Sequence, residues 1–250
     1  MKPAETPLRH ALVAQVLGAV PAALILMLFP ALADHLLAIA GAQGLCAALI
    51  SHLLRDPPWW RPIHLGFMPL AVLASGLGLP SWAWLAGFAM LLLTFWRTDR
   101  SRVPLYLTNA LAGKALAGLL PAAPVAVVDL GCGDGGLLRR LARERPDCRL
   151  VGFEHAPLPW AWAWLSCRRL PNVEIRFGDF WSHPLDGYAL VYAFLSPAPM
   201  QQLWSKATAE MKPDALLVSN SFDVPGIQPE RTVEVADSRR TRFYCYRPAG

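Results

Sequence analysis

The first 96 residues of this 250-residue sequence carry very little charge. Only seven charged side chains occur there, namely Lys2, Glu5, Arg9, Asp34, Arg55, Asp56 and Arg61. The whole chain has 23 Lys and Arg and 18 Asp and Glu, 41 in all, so subtracting these seven leaves 34 after Trp96. The later part therefore has the charge density of an ordinary soluble domain. This contrast predicts two physically different domains, residues 1–97 and residues 98–250.

Disulfide and metal-site patterns are also missing. The five cysteines, at positions 46, 132, 148, 167 and 245, form no CxxC pair, and their odd number favours free thiols in a reducing compartment. Neither they nor the six histidines have the spacing of metal ligands, so we expect no metal. A basic stripe interleaved with aromatic residues is absent as well, which disfavours nucleic acid as a partner.

Long uncharged runs fill the first part of the chain, at residues 11–33, 36–54 and 62–96. A helix crosses the ~30 Å hydrocarbon core of a bilayer in ~20 residues, so the first two runs each fit one span. The third run is too long for one span, and the turn-forming GLGLPS within it predicts two short ones. We therefore expect an all-α transmembrane stem of about four helices, near 10–30, 35–54, 63–79 and 82–96, embedded in a lipid bilayer.

The positions of the basic residues agree with four spans. In that topology every Lys and Arg before residue 103 lies on one side of the membrane, and the positive-inside rule makes this side cytoplasmic. Tryptophans at the predicted span ends fit the same topology, because their rings favour the membrane interface. A cleaved signal peptide ending before Asp34 and the buried core helices of a soluble protein are alternative interpretations.

A glycine-rich loop follows an apolar segment in VAVVDLGCGDGG, residues 125–136. The run 125–130 is typical of a central parallel strand. GLLRRLARER predicts an amphipathic helix, and CRLVGFEH predicts a second strand that ends at Glu154. Two such strand–helix units predict a Rossmann-like, doubly wound α/β domain that binds its ligand at the carboxyl ends of the strands.

The glycine spacing alone does not identify the ligand, because residues 131–136 satisfy both GxGxxG and GxGxG. Asp129 and Asp134 flank the glycines, however, where a dinucleotide would place its negative pyrophosphate. Two carboxylates oppose that anion, whereas they suit the sulfonium and ammonium of S-adenosyl-L-methionine.

Acidic residues recur at the predicted strand ends. Asp129, Glu154 and Asp179 are each 25 residues apart, which is the length of one strand–helix unit. The third acid follows Gly178 at the end of VEIRFGDF, another predicted strand. Three acids in this register can serve the methionine end, the ribose and the adenine amino group of S-adenosylmethionine.

The motifs DLGCGDG, GFEHA and FGDF resemble those of the seven-strand class I methyltransferases, and the resemblance covers residues 103–248. It implies that the backbone of Gly131 and Gly133 contacts the methionine moiety, that Glu154 binds both ribose hydroxyls, and that Asp179 binds adenine. The predicted cofactor-binding set also includes neighbours of these residues, namely Asp129, Cys132, His155, Gly178, Phe180 and Ala193.

Two longer stretches are similar to the small membrane-anchored protein-lysine methyltransferases of mitochondria and their bacterial relatives. They are RVPLYLTNALAGKAL, before the loop, and YALVYAFLSPAPMQQLWSKATAEMKPDALLVSNSF, after it. The sequence departs from that family where Leu-Tyr-Leu-Thr follows Val103-Pro104, and its stem is larger than the usual anchor. The resemblance implies lysine N-methylation of a membrane protein. It also favours a multi-pass protein of the bacterial inner membrane whose catalytic domain is cytoplasmic.

The remaining motifs bear on the methyl acceptor. LSPAP at 195–199 stands where amide and adenine methyltransferases have an Asn/Asp-Pro-Pro-aromatic motif, which disfavours those acceptors. Residues 215–222 predict a fifth strand, and RTVEVADSRRTRFYCYRP predicts a terminal antiparallel hairpin. Tyr192 and Ser196, at the end of the strand predicted at 188–194, are the predicted catalytic residues that orient a lysine amine. Methylation of a lipid or isoprenoid, and binding of S-adenosylmethionine without catalysis, are the alternative functions.

Overall fold

The computed structural model describes residues 7–96 and 106–248. The chain divides into two compact units, Met1–Trp84 and Leu85–Gly250. The predicted boundary after residue 97 therefore falls a few residues beyond the division of the structure, and Arg97 itself lies outside the described residues.

The apolar part of the chain is helical. Its elements are α1 (Pro7–Leu28), a 3-10 turn (Pro30–His35), α2 (Leu36–Leu53), α3 (Trp60–Ser75) and α4 (Ser81–Thr94). Within the described residues, two segments are long and apolar enough to cross a membrane, Arg9–Leu28 and Pro30–Leu53. These correspond to the first two predicted spans.

The third and fourth predicted spans are shorter than expected. Helix α3 has 16 residues and α4 has 14. At ~1.5 Å per residue these helices extend over about 24 and 21 Å, less than the ~30 Å hydrocarbon core. Because GLGLPS ends α3 early, the structure supports two spanning helices, and the four-span stem is not established.

Helices α1, α2 and α3 pack closely through small residues. A Cβ added to Gly18 would lie 2.9 Å from the backbone nitrogen of Ala47, and one added to Gly44 would lie 2.5 Å from the carbonyl oxygen of Leu65. Only glycine allows helix backbones to approach this closely, which is a common arrangement between helices in membranes.

The second unit contains an α/β domain whose elements alternate along the chain. They are α5 (Ala110–Ala117), β1 (Ala126–Leu130), α6 (Gly136–Glu144), β2 (Arg149–Glu154), α7 (Pro157–Cys167), β3 (Val173–Phe177), a 3-10 turn (Phe180–Ser182), β4 (Leu190–Ala193), α8 (Met200–Glu210), β5 (Leu216–Asn220), β6 (Arg231–Glu234) and β7 (Arg242–Tyr246). In the described part of the chain the sheet has seven strands in the order β3-β2-β1-β4-β5-β7-β6. Strands β1 to β5 are parallel, and β7 runs antiparallel to both of its neighbours.

This topology confirms the predicted Rossmann-like fold, including the terminal hairpin of β6 and β7. The strand ends were predicted less well. Strand β3 stops at Phe177, so Gly178 and Asp179 follow the strand, and β4 has four residues where seven were expected. All five cysteines are free thiols, as expected.

Two apolar clusters cover the faces of the sheet. One contains Leu138 and Leu141 of α6, and the other contains Met200 and Leu203 of α8. Because β1 is buried on both faces, its residues form the continuous apolar run seen in the sequence. This burial holds the end of β1, and the loop that follows, at the centre of the carboxyl edge.

Candidate cofactor and acceptor site

The glycine loop connects β1 to α6 at the carboxyl edge of the sheet. Gly131, Gly133 and Gly135 have φ values of +85°, +56° and +70°, a region that side chains with a Cβ rarely adopt. The backbone N–H groups of Gly131 and Cys132 donate to the carbonyl oxygen of Phe153, at 3.0 and 2.8 Å. These two bonds fix the loop against the end of β2, so its exposed backbone can approach a ligand closely.

Glu154, the last residue of β2, is buried beneath this loop. Its Oε2 accepts a hydrogen bond from the N–H of Gly133 at 2.9 Å. Its Oε1 accepts from the N–H groups of His155 and Ala156, at 2.9 and 2.8 Å. Each carboxylate oxygen has more than one lone pair, so this fixed acceptor can also receive the two hydroxyls of a ribose. The arrangement fits S-adenosylmethionine.

Asp129 is a second buried carboxyl at the same edge. Burial, followed by the negative charges of Glu154 and Asp134, raises its pKa to about 8. A cation placed beside this group would favour the carboxylate and lower the pKa again. The sequence treated Asp129 and Asp134 as equal sources of negative charge, but Asp134 pairs with Arg139 at 3.3 Å and accepts from the N–H of Gly136. The buried acids of the site are therefore Asp129 and Glu154.

Asp179 lies at the end of β3 and begins the 3-10 turn, and its side chain is exposed. One carboxylate oxygen accepts from the N–H of Trp181 at 3.1 Å. Gly178 precedes it with φ of +137°, and Phe180 follows it, partly buried. The structure thus places this predicted adenine-binding group at the same edge as Glu154, but on the surface.

The other predicted cofactor neighbours are placed differently from one another. Cys132 and Ala193 are buried, the second as the last residue of β4, beside Leu130 of β1. His155 is partly exposed, and its Nε2 is 2.9 Å from the carbonyl oxygen of Trp96. Because a carbonyl only accepts, this bond requires a proton on Nε2.

The two predicted catalytic residues are both buried. The hydroxyl of Tyr192 bonds with Oγ1 of Thr108 at 2.8 Å and accepts from Nδ2 of Asn220 at 2.7 Å. Burial raises the pKa of Tyr192 above its ordinary value, so its hydroxyl stays protonated. Ser196 Oγ has no hydrogen-bond partner among the described residues. The catalytic roles of Tyr192 and Ser196 remain predictions.

The segment before β1 contributes residues that the sequence analysis did not include. Thr108 reaches Tyr192, and its carbonyl accepts from Arg140 Nη1 at 2.8 Å. Asn109 caps α5 by accepting from the N–H of Ala112, and it donates to Asp237 in the loop between β6 and β7. An Asn before an alanine-rich helix is a recognisable cap. Its partner 128 residues away has no signal in the sequence.

An apolar cavity of about 430 Å³ adjoins the glycine loop on its outer side. Its lining residues are Thr94, Leu107, Asp134, Leu158, Pro159, Ala161, Trp162 and Leu165. Neither Glu154 nor Asp179 lines it, so it is separate from the predicted cofactor groups. Within residues 7–96 and 106–248, no group of His, Cys, Asp and Glu side chains could hold a metal ion.

Comparison with known proteins identifies similar chains. The profile of the ANTKMT methyltransferase domain matches residues 129–231. The adenine nucleotide translocase lysine N-methyltransferase of Mus musculus is 31% identical over 197 residues, which cover 74% of this chain and 80% of the mouse protein. The protein-lysine N-methyltransferase of Saccharolobus islandicus is 27% identical over 134 residues, 48% of this chain and 77% of that one.

A solved structure shares the fold. It is that of an RNA methyltransferase from Salinibacter ruber in complex with S-adenosyl-L-homocysteine. The TM-score is 0.53 at 26% identity, over 58% of this chain and 94% of the other.

The match to the mouse protein extends beyond the α/β domain. It covers 74% of the 250 residues, whereas 250 minus 96 leaves 154 residues, or about 62% of the chain, after Trp96. Part of the matched region therefore lies in the apolar N-terminal part.

Proposed function

This chain belongs to the ANTKMT family of S-adenosylmethionine-dependent protein-lysine methyltransferases, and from that premise we propose that it methylates a lysine of a membrane protein. Family membership makes the chain a methyltransferase, which removes the non-catalytic alternative. The observation that carries the finer proposal is the pair of long apolar helices, Arg9–Leu28 and Pro30–Leu53, in the same chain as the methyltransferase domain.

Bound S-adenosylmethionine supplies a methyl group on a sulfonium sulfur, and the C–S bond breaks as an acceptor nitrogen attacks the methyl carbon. We assign Glu154 to the ribose hydroxyls, Asp179 to the adenine amino group, and the backbone of Gly131 and Gly133 to the methionine end. Asp129 supplies a buried carboxylate near the ammonium. Positioning of this kind can provide most of the rate of an in-line displacement.

A lysine acceptor must lose one proton before it attacks, because its amine has a pKa near ~10.4. The hydroxyl of Tyr192 cannot take this proton, since burial keeps it protonated. We therefore assign Tyr192 and Ser196 to orienting the acceptor, and the proton leaves to water. The products are a methylated amine and S-adenosylhomocysteine.

The surface of α1 and α2 supports placement in a membrane. Large apolar side chains point outward along both helices, among them Leu17, Leu24 and Leu45 at 51%, 53% and 64% exposure. A soluble protein rarely exposes so continuous an apolar surface, which marks membrane or protein contact. We propose that residues 1–97 form the membrane domain and residues 98–250 the catalytic domain, on the cytoplasmic face of a bacterial inner membrane.

The number of spans is part of the same proposal. A stem of four helices in which α3 and α4 cross obliquely or incompletely, and a stem of two spans, both return the chain to its starting side. Lys2, Arg9, Arg55 and Arg61 then share that side with the catalytic domain, as the positive-inside rule requires.

Methyl transfer from labelled S-adenosylmethionine into membranes tests the proposed function. The full-length protein is incubated with membranes from cells that lack its gene, and protein and lipid are then separated. We expect label in protein, recovered as methyl-lysine after acid hydrolysis, and none with the Glu154→Ala variant at limiting cofactor. Label that is confined to the lipid extract would contradict a protein acceptor.

A lipid acceptor is the second candidate, and the apolar cavity beside Asp134 favours it. Leu107, Leu158, Trp162 and Leu165 present hydrocarbon and aromatic surface that an acyl or isoprenoid chain could contact. Replacement of Trp162 and Leu165 by serine would then abolish label in lipid, whereas label in protein would persist if lysine is the acceptor.

A further inference from the structure

Three aromatic rings form a cluster at the carboxyl edge of the sheet, and none of them belongs to the predicted site. Tyr106 stacks on Phe194 with ring centroids 4.9 Å apart and planes inclined by 16°. Phe222 lies 5.7 Å from Tyr106 and 6.4 Å from Phe194. All three side chains are partly exposed. They come from three separate segments, which precede β1 and follow β4 and β5.

The cluster adjoins the cofactor loop. Phe194 directly follows β4, and the next residue, Leu195, packs against the loop, since a Cβ added to Gly131 would lie 3.4 Å from Leu195 Cδ2. The carboxyl edge is where ligands bind in sheets of this type. The aromatic cluster therefore lies beside the place where we put the methionine end of the cofactor.

A buried hydrogen-bond network fixes the three segments under the rings. Its members are Thr108, Tyr192 and Asn220, joined through the tyrosine hydroxyl. Each member is two residues from one ring, Tyr106, Phe194 and Phe222 respectively. Side chains two residues apart on an extended chain share a face. The network thus holds the three rings on one side of the sheet edge.

The backbone at Phe222 is specially shaped. Ser221, just before it, has φ of +66°, which is uncommon for a residue other than glycine. The N–H of Ser221 donates to the carbonyl of Arg242, and its hydroxyl donates to Oδ1 of Asn220. A strained residue held by several bonds is typical of functional sites, where the strain directs a neighbouring side chain.

We propose that Tyr106, Phe194 and Phe222 form the binding site for the acceptor lysine, and that they recognise its cationic head and aliphatic stem. Aromatic faces attract ammonium groups, most strongly where water is partly excluded. The exposed rims of the rings offer apolar contact to the four methylenes. This inference rests on the proposed function, since it names the residues that select a lysine.

Tetramethylammonium ion is the probe for such a site, because it carries a positive charge and cannot donate hydrogen bonds. Methyl transfer by the full-length protein into membranes is measured against increasing tetramethylammonium chloride, with sodium chloride at equal ionic strength as the control. We expect the wild type to be inhibited by the organic cation. Phe194→Leu and Phe222→Leu keep apolar bulk but lose an aromatic face, so each should need roughly three- to thirtyfold more probe.

Control variants separate recognition from packing. Tyr106→Phe keeps the ring and should behave as the wild type, whereas Tyr106→Leu should not. Trp204→Leu removes a partly exposed ring that contacts Tyr246 on another part of the domain, and it should leave inhibition unchanged. The affinity for S-adenosylmethionine, measured by calorimetry, should stay within about twofold in all variants, which shows that the domain is folded.

The outcomes distinguish this inference from the function it rests on. If no methyl-lysine is found with the wild type, both are overturned. If methyl-lysine is found but the leucine variants keep the wild-type rate and the same inhibition, the aromatic cluster is only packing and the proposed function stands.

Discussion

At the residue scale, two buried carboxyls under one glycine loop carry different loads. Glu154 accepts three backbone hydrogen bonds, whereas the pKa of Asp129 is raised to about 8 by burial and by nearby negative charge. A buried acid without enough compensation is costly to ionise, and such groups concentrate at functional sites. The two positions should therefore respond to mutation in opposite ways.

Replacement of Glu154 by alanine should weaken S-adenosylmethionine binding. Loss of a charge-assisted contact costs roughly 1.5–3 kcal/mol, which corresponds to about one to two decades in Kd. Titration calorimetry measures the change. Glu174→Ala is a matched control, because Glu174 is an exposed acid on β3 that pairs with Arg149 and Arg176. An unchanged Kd for Glu154→Ala would remove the ribose assignment.

Replacement of Asp129 by asparagine should stabilise the cofactor-free protein at alkaline pH. The folded pKa of about 8 lies above the ordinary unfolded value near ~3.9, so the folded state holds an extra proton between these values. Stability from this group is complete below pH ~4 and is lost as pH rises through 8. The gain from asparagine should be near zero at pH 4 and reach at most about 5 kcal/mol above pH 8.

Thermal unfolding of wild type and Asp129→Asn across pH 4 to 9 gives this difference. The same variant should bind S-adenosylmethionine more weakly, because it lacks the carboxylate that we place near the ammonium. A difference in Tm that does not vary with pH would show that Asp129 is not titrating in the folded protein.

At the element scale, the position of the glycine loop depends on how closely α6 packs on β2. Gly152, in the middle of β2, faces Leu138 of α6 and Cys132 of the loop. A Cβ there would lie 2.5 Å from Leu138 Cδ1 and 2.8 Å from Cys132 Sγ. The absence of a side chain at this one strand position lets both elements settle against the sheet.

Gly152→Ala should therefore destabilise the domain and disturb the loop. Overpacking of a filled core costs typically ~1–3 kcal/mol, which lowers Tm by roughly 2–4 °C per kcal/mol in a domain of this size. Gly187→Ala is the control, since a Cβ at Gly187 meets nothing within 4 Å. Equal Tm values for the two variants would mean that α6 moves away from the sheet without cost.

At the scale of the whole molecule, sidedness is the feature that the apolar helices decide. Stems of two and of four spans both place the two termini on the same side, and the basic residues make that side cytoplasmic. A reporter fused after Gly250 should be active as green fluorescent protein and inactive as alkaline phosphatase. The reverse pattern would put the catalytic domain away from cytosolic S-adenosylmethionine.

Attachment to the membrane should matter more for the acceptor than for the cofactor. The predicted linker, residues 97–102, spans at most ~20 Å when extended, so it keeps the domain near the bilayer and raises the effective concentration of acceptors in the same plane. Residues 103–250 alone should bind S-adenosylmethionine with the affinity of the full chain but label membranes poorly. Equal labelling by the released domain would contradict the tethering role.

The sequence by itself determined the α/β fold, the cofactor and the family. These features depend on local patterns, because a buried strand, a glycine loop and a strand–helix unit of fixed length leave marks in adjacent residues. Asp129, Glu154 and Asp179 could be found from their spacing, since each follows the same unit. The number of membrane-crossing helices could not, because helix ends depend on turns, and GLGLPS ends α3 after 16 residues.

Only the tertiary structure decided which side chains meet. The pairing of Asp134 with Arg139, the bond from Asn109 to Asp237, and the network through Tyr192 join segments that fold back on one another. The aromatic cluster has the same origin, since its rings come from positions 106, 194 and 222. Such contacts have no periodicity in the chain. They exist because parallel strands bring their carboxyl ends to one edge, whatever their separation in sequence.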